Sequence, residues 1–235
     1  MRHGRVLAPD FAGISLDGGS TAITIQLVNN FHLIDTFDTD LADRGSVSDQ
    51  ANQRILIGRT GVYEVSLDMA ASAGGANKEY QTYVYEVAAS GSAITGATQA
   101  DPVVITSASH GFSDGDEVLI NSVAGMTELN NRIFKVADKA ADTFELTDDG
   151  GASPANDIDG SLFAAYTSGG VAYLATRTRV GVRQKYAVGS DVEPGGDRSL
   201  VSLTAGNYLM AFVQGVTDDT DLTHYHAALV MKYMG

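Results

Sequence analysis

The chain has no cysteine, no tryptophan and only four prolines among its 235 residues. Without cysteine there is no disulfide, no thiolate metal site and no thiol nucleophile, so packing and backbone pairing must hold the fold. Basic side chains are scarce as well. Fifteen Lys and Arg stand against 29 Asp and Glu, a net charge of −14 with a pI near 4.5. Such a surface repels polyphosphate, which argues against a nucleic-acid partner. No apolar run approaches the roughly 20 residues of a membrane-spanning helix, so no membrane partner is expected. The first residues, MRHGRVLAPDFAG, carry Arg2, His3 and Arg5 but no apolar segment. They are expected to form a short basic arm rather than a secretory signal, either loose or anchoring the acidic body to an acidic surface. Enzyme signatures are also missing: there is no G-x-S-x-G elbow, no glycine-lysine phosphate loop and no H-E-x-x-H. The expectation is a non-enzyme with no cofactor, although a carboxylate pair for glycoside hydrolysis depends on fold rather than spacing.

What the sequence does contain is a two-residue repeat. In Gly61 to Ala71, GVYEVSLDMAA, Tyr63, Val65, Leu67 and Met69 fall on one side and Glu64, Ser66 and Asp68 on the other, as a half-buried strand requires. TAGNYLMAFV, Thr204 to Val213, echoes the pattern after a second glycine turn. Further strands are expected over Thr21–Leu27, Arg54–Ile57, Glu79–Val87 and Tyr225–Tyr233, and a polar surface loop over Asp40–Gln53. Small-residue linkers at Ala89–Thr98 and Tyr166–Gly170 bracket a segment with strands of its own, around Val103, Glu117, Arg132 and Thr143, separated by the turn signals Asp114-Gly115 and Asn130-Asn131. The predicted fold is all-β: an N-terminal arm over 1–11, a discontinuous jelly-roll β-sandwich over 12–90 and 174–235, and a small antiparallel β-barrel inserted over 91–173.

Two resemblances add to this. Ile105 to Asp148 is similar to a small β-barrel module of bacteriophage structural proteins, named after a segment of the ubiquitin-activating enzyme. The match is carried by His110-Gly111-Phe112, Gly115-Asp116, Gly125-Met126, Leu129-Asn130 and Thr143-Phe144-Glu145-Leu146. It implies a structural unit of phage particles and no ubiquitin chemistry. With that module set aside, the chain resembles phage trimeric jelly rolls of the tumour necrosis factor and complement type, through its G-x-Y strand, SLTAGNYL and its C-terminal strand.

The last strand bears on assembly. Tyr225, Ala227, Leu229, Met231 and Tyr233 make one apolar face, while His224, His226, Ala228, Val230 and Met234 make a second that is also largely apolar. Tyr208, Met210 and Phe212 oppose Leu209, Ala211 and Val213 in the same way. A sheet apolar on both faces needs a second cover, and a subunit interface supplies one, so a homotrimer meeting at His224, His226, Ala228 and Val230 is expected. His224 and His226, two residues apart, are expected to project to the same side, where three copies near a threefold axis could hold a metal or respond to acid; two histidines at a wet interface are the alternative. Asp218, Asp219 and Asp221 are weak cation-loop candidates, with a solvated acidic loop as the alternative. His110, with no second histidine nearby, is expected to be a packed turn residue.

These readings lead to a phage virion protein, made in the host cytoplasm. It would be a trimeric decoration protein on the capsid surface, held to the major capsid protein lattice by its arm. The alternative is a receptor-binding module of a tail fibre or tail tip that recognises host glycans, with Phe112, Phe163 and Tyr166 as stacking residues unless they belong to the module core. A secreted bacterial binding module is a third reading, disfavoured by the N-terminal sequence.

Overall fold

The computed structural model describes residues 9–148, 157–188, 191–217 and 219–235. Two antiparallel sheets account for nearly all of it. The first contains β1 (Phe11–Leu16), β2 (Thr21–Ile23), β4 (Thr39–Asp40), β7 (Gly61–Ala73), β16 (Glu193–Leu203) and β18 (Leu222–Tyr233). They run in the order β16-β7-β18-β1-β4, with β2 on the end of β18. The second sheet contains β3 (Phe31–Leu33), β5 (Val47–Asp49), β6 (Arg54–Leu56), β8 (Lys78–Val87), β9 (Ser92–Ala93), β10 (Gly96–Ala97), β11 (Val104–Thr106), β12 (Glu117–Ala124), β13 (Arg132–Ala137), β14 (Thr143–Thr147), β15 (Ser168–Tyr186) and β17 (Tyr208–Gly215). Its main path is β10-β11-β14-β13-β12-β15-β8-β17-β6-β5.

The jelly-roll sandwich is closed by the alternation expected of β7. Tyr63, Val65, Leu67 and Met69 are buried against Ala227, Leu229 and Met231 of β18 and against Val84, Leu209, Ala211 and Val213 of the facing sheet. The barrel has its own core, in which Val118 and Ile120 of β12, Phe134 and Val136 of β13 and Phe144 and Leu146 of β14 meet. His110 is a turn residue of that core. Its Nδ1 accepts the Phe112 N–H at 3.0 Å, its Nε2 lies 3.0 Å from the Ala140 carbonyl, and its ring stacks on Phe112. Gly125 turns the chain at φ +87°, where a Cβ would lie 2.1 Å from the Ala165 carbonyl oxygen, so no larger residue fits.

The barrel is not hung from a linker. Residues from Ser168 onward, expected in a linker, belong to a 19-residue strand whose first part pairs with β12 of the barrel, up to Ala175↔Glu117. The rest, from Ala175↔Val87 onward, pairs with β8 of the sandwich. The boundary expected near 173 therefore falls inside one continuous strand. β3 completes the join, because it pairs with β13 on one side and β17 on the other. The cycle β3-β13-β12-β15-β8-β17 returns to β3 and forms a closed six-stranded ring.

Alternation lets each strand of the ring serve two cores. Leu119 and Ile133 point into the ring while their neighbours Val118 and Phe134 face the barrel, and Met210 and Phe212 point in while Leu209 and Ala211 face the sandwich. This corrects one inference from sequence: the second apolar face of β17 is covered by Phe31, Leu33, Leu119 and Ile133 of the same chain rather than by another subunit. Two-faced apolarity requires a cover, and an internal one satisfies it equally. The polar stretch expected as a loop likewise holds β5 and a short 3-10 turn, Gln50–Asn52.

Leu119 is 4% exposed and sits in this ring. Leu119→Ala should cost about 2 to 5 kcal/mol through the lost side chain and the cavity left behind. Because the ring draws on both modules, calorimetry should show a single transition that moves as a whole. Two transitions, of which one stays in place, would show that the ring does not couple them.

Candidate functional site

The two ends of the ring are built differently. At one end Arg177 of β15 forms an ion pair with Glu117 of β12, and its guanidinium lies 4.8 Å from the Phe31 ring centre and 4.9 Å from that of Tyr83. The Tyr85 hydroxyl donates to the same Glu117 carboxylate at 3.2 Å, which fixes the cap from three strands. The other end opens as a cleft of about 580 Å³. Leu33, Val87, Leu119 and Met210 form its floor, half-buried Tyr173 and Tyr208 line it, and Asp35, Asn52, Arg54, Asn121 and Asn131 edge it.

Local sequence sets each of these groups. Tyr173 alternates with buried Ala172 on β15 and pairs with Leu119 across the ladder. Tyr208 opens β17 and carries the Arg54 guanidinium 4.1 Å above its ring, with Arg54 held by Asp49 at 2.9 Å. Asn131 adopts φ +61°, a conformation that asparagine tolerates, and turns the chain into β13. Asn52 donates to both Asp49 oxygens at 2.9 Å. Gln53 is fully engaged, bridging the Phe37 N–H and carbonyl and the Gln50 carbonyl.

Across β3 lies a second cavity of about 330 Å³, which shares Leu33, Asp35 and Asn131 with the first. It contains His32, its pKa pushed down to about 3 by burial and by the charge of Arg132. Arg132 itself is lowered to about 10 by burial; it donates to Gln26 Oε1, while its Nη1 has no hydrogen-bond partner among the described residues.

The residues singled out from sequence do not converge here. Arg2, His3, Arg5 and Asp218 lie outside the described residues. His224 and His226 do not share a face. The ladder between β18 and β7 shifts register between them, so Tyr225 forms a bulge and the alternation inverts. His224 turns inward, fully buried, with Nδ1 3.3 Å from Thr36 Oγ1, while His226 is exposed. The same bulge leaves Tyr225, expected in the core, 45% exposed. Ala228 and Val230 remain half-buried on the outer face. Asp219 is exposed, and Asp221, just before β18, accepts the Ile25 N–H of the segment after β2 at 3.1 Å. Among the described residues no group of three or more His, Cys, Asp or Glu side chains could hold a metal ion. Phe112 is buried in the barrel, and Phe163 and Tyr166 pack against its core, so none is a free stacking platform. Tyr173, Tyr208 and Asn131 went unmarked as site residues because each reads locally as a strand or turn position.

Residues 101–175 match the family model of the ubiquitin-activating enzyme E1 FCCH domain. That segment is less than half of the chain, and it takes in β11 to β14 of the barrel together with the part of β15 that pairs with β12. No curated protein matches the chain. A solved structure described as Eiger TNF from S. frugiperda aligns with TM-score 0.47 at 7% identity, covering 97% of this chain and 94% of that one. The jelly-roll sandwich itself is given by the strand pairing above.

The histidines make the fold acid-sensitive. Burial pushes the pKa of His224 from 6.5 down to about 4. Below pH 6.5 the unfolded chain takes up a proton that the folded chain refuses until about pH 4, so stability is complete above 6.5 and is lost as pH falls through that window. His224 alone should account for up to about 3 kcal/mol. Urea titrations at pH 7, 5.5 and 4.5 should show the decline, and His224→Gln should reduce it, leaving the share of His32 in place; an unchanged slope in the variant would assign the sensitivity elsewhere.

Proposed function

We propose that this chain is a structural protein of a bacteriophage virion, a homotrimeric jelly roll that decorates the outer shell of the head. The observation that carries this reading is the FCCH-like barrel joined into the jelly-roll sheet through β15 and β3. As the sequence resemblance implies, such modules are building units of phage particles, and here the unit is part of a single continuous body. The acidic surface favours solubility at high local concentration.

Support for the trimer comes from the outer face of the first sheet. There the rows Gly196–Asp68–Ala228 and Arg198–Ser66–Val230 mix small and charged side chains, beside Leu200, which is 57% exposed. The charges on this face are mixed, with Arg198 3.7 Å from Glu64. A face of this kind suits a second copy better than open water. The rival reading, a receptor-binding module at a tail tip, draws on the open cleft.

Native mass spectrometry of the purified chain should give three copies. Val230→Asp, which introduces a charge on the outer face without touching the core, should give a folded monomer. A wild-type monomer that also fails to add to assembled heads would sink the decoration reading. Copy number per particle separates the two placements, many for a shell protein and a handful for a tip.

A further inference from the structure

We infer that the open end of the ring is a binding site for a neutral saccharide. The two ends enclose the same apolar interior, and among the described residues only one is capped. At the Arg177 end an ion pair and a phenol hydroxyl close it. At the other end Leu33, Leu119 and Met210 are left as a floor beneath a cleft of about 580 Å³, within the usual range for small-molecule sites.

Several hydrogen-bonding groups around that floor are unused among the described residues. The hydroxyls of Tyr173 and Tyr208, the whole Asn131 amide, Nδ2 of Asn121 and Oδ1 of Asn52 have no partner among the described residues, whereas the neighbouring Gln53 is fully engaged. Amides and phenols both donate and accept, which is the chemistry that reads a sugar hydroxyl. The half-exposed Tyr173 ring offers a π-face to the polarised C–H face of a pyranose, while one face of Tyr208 carries Arg54. Charge decides against an acidic ligand. Among the described residues the charged side chains on the cleft are Asp35 and Arg54, and Arg54 is paired with Asp49, so an anion would meet a carboxylate and a cation already engaged. The site draws Tyr173 and Asn121 from strands joined to the barrel and Tyr208 and Asn52 from the sandwich, so neither module holds it alone. The chemistry is the same whether the chain lies on a head or at a tail tip.

The test is a titration of the full chain, by saturation-transfer NMR and calorimetry. The probes are glucose, galactose, mannose, N-acetylglucosamine and their di- and trisaccharides, with sialyllactose as an anionic probe and a glycine-serine hexapeptide as a peptide probe. At least one neutral saccharide should bind with Kd of about 1 mM or tighter and lose about tenfold on Tyr173→Ala and on Asn131→Asp. Tyr173→Phe keeps the ring and removes one hydroxyl, so it should fold like wild type and weaken binding less. Leu200→Ser, on the far sheet, should leave binding unchanged. Absence of neutral-saccharide binding up to about 10 mM would overturn the assignment. So would preferential binding of sialyllactose or of the peptide, or binding that survives both Tyr173→Ala and Asn131→Asp.

Discussion

Closure of six strands around one apolar interior is the constraint on which the rest of this molecule depends. A strand on the ring has no free edge, and its inward side chains must fill a fixed space. Phe31, Tyr85 and Phe212 do so edge to face, with ring centres 5.7 and 5.3 Å apart. Arg177 is tolerated at the margin because Glu117 neutralises it and aromatic faces surround it. Without β3 the ring would be an open sheet, and both the sandwich and the barrel would expose a face.

This arrangement sets what the protein can do. A module inserted into a hairpin usually retains a hinge, because its two connections are short and close together. Here one of the connections is itself a strand of both modules, and β3 ties them a second time. Under the proposed function, such pairing would suit a chain that holds one surface in a fixed relation to a shell or a fibre. It also ties the strands of Tyr173 and Tyr208 together through β8, so that a ligand at the proposed site would meet groups already placed by the fold.

Much of the fold was legible in the sequence. The alternation of Tyr63, Val65, Leu67 and Met69 named a core face, and the motif His110-Gly111-Phe112 named a packed turn, because both depend on neighbours within a few residues. The bulge at Tyr225 was not legible. It depends on how β18 aligns with β7, some 150 residues earlier, and one extra residue there exchanges the faces of every side chain before it. His224 consequently became a buried, acid-sensitive core residue rather than a partner for His226. The doubly apolar β17 showed that a cover was needed, but the identity of that cover depended on β3 closing the ring.

By itself the sequence determined the strand content, the apolar faces, the barrel with its turn residues and the absence of thiol chemistry, all of which follow from composition and a two-residue period. Tertiary structure alone decided the closed ring, the direction of His224, and the cleft where Tyr173, Tyr208 and Asn131 meet. Those features arise from pairings between strands far apart in the chain, and side-chain alternation along one strand carries no information about which strand will lie beside it.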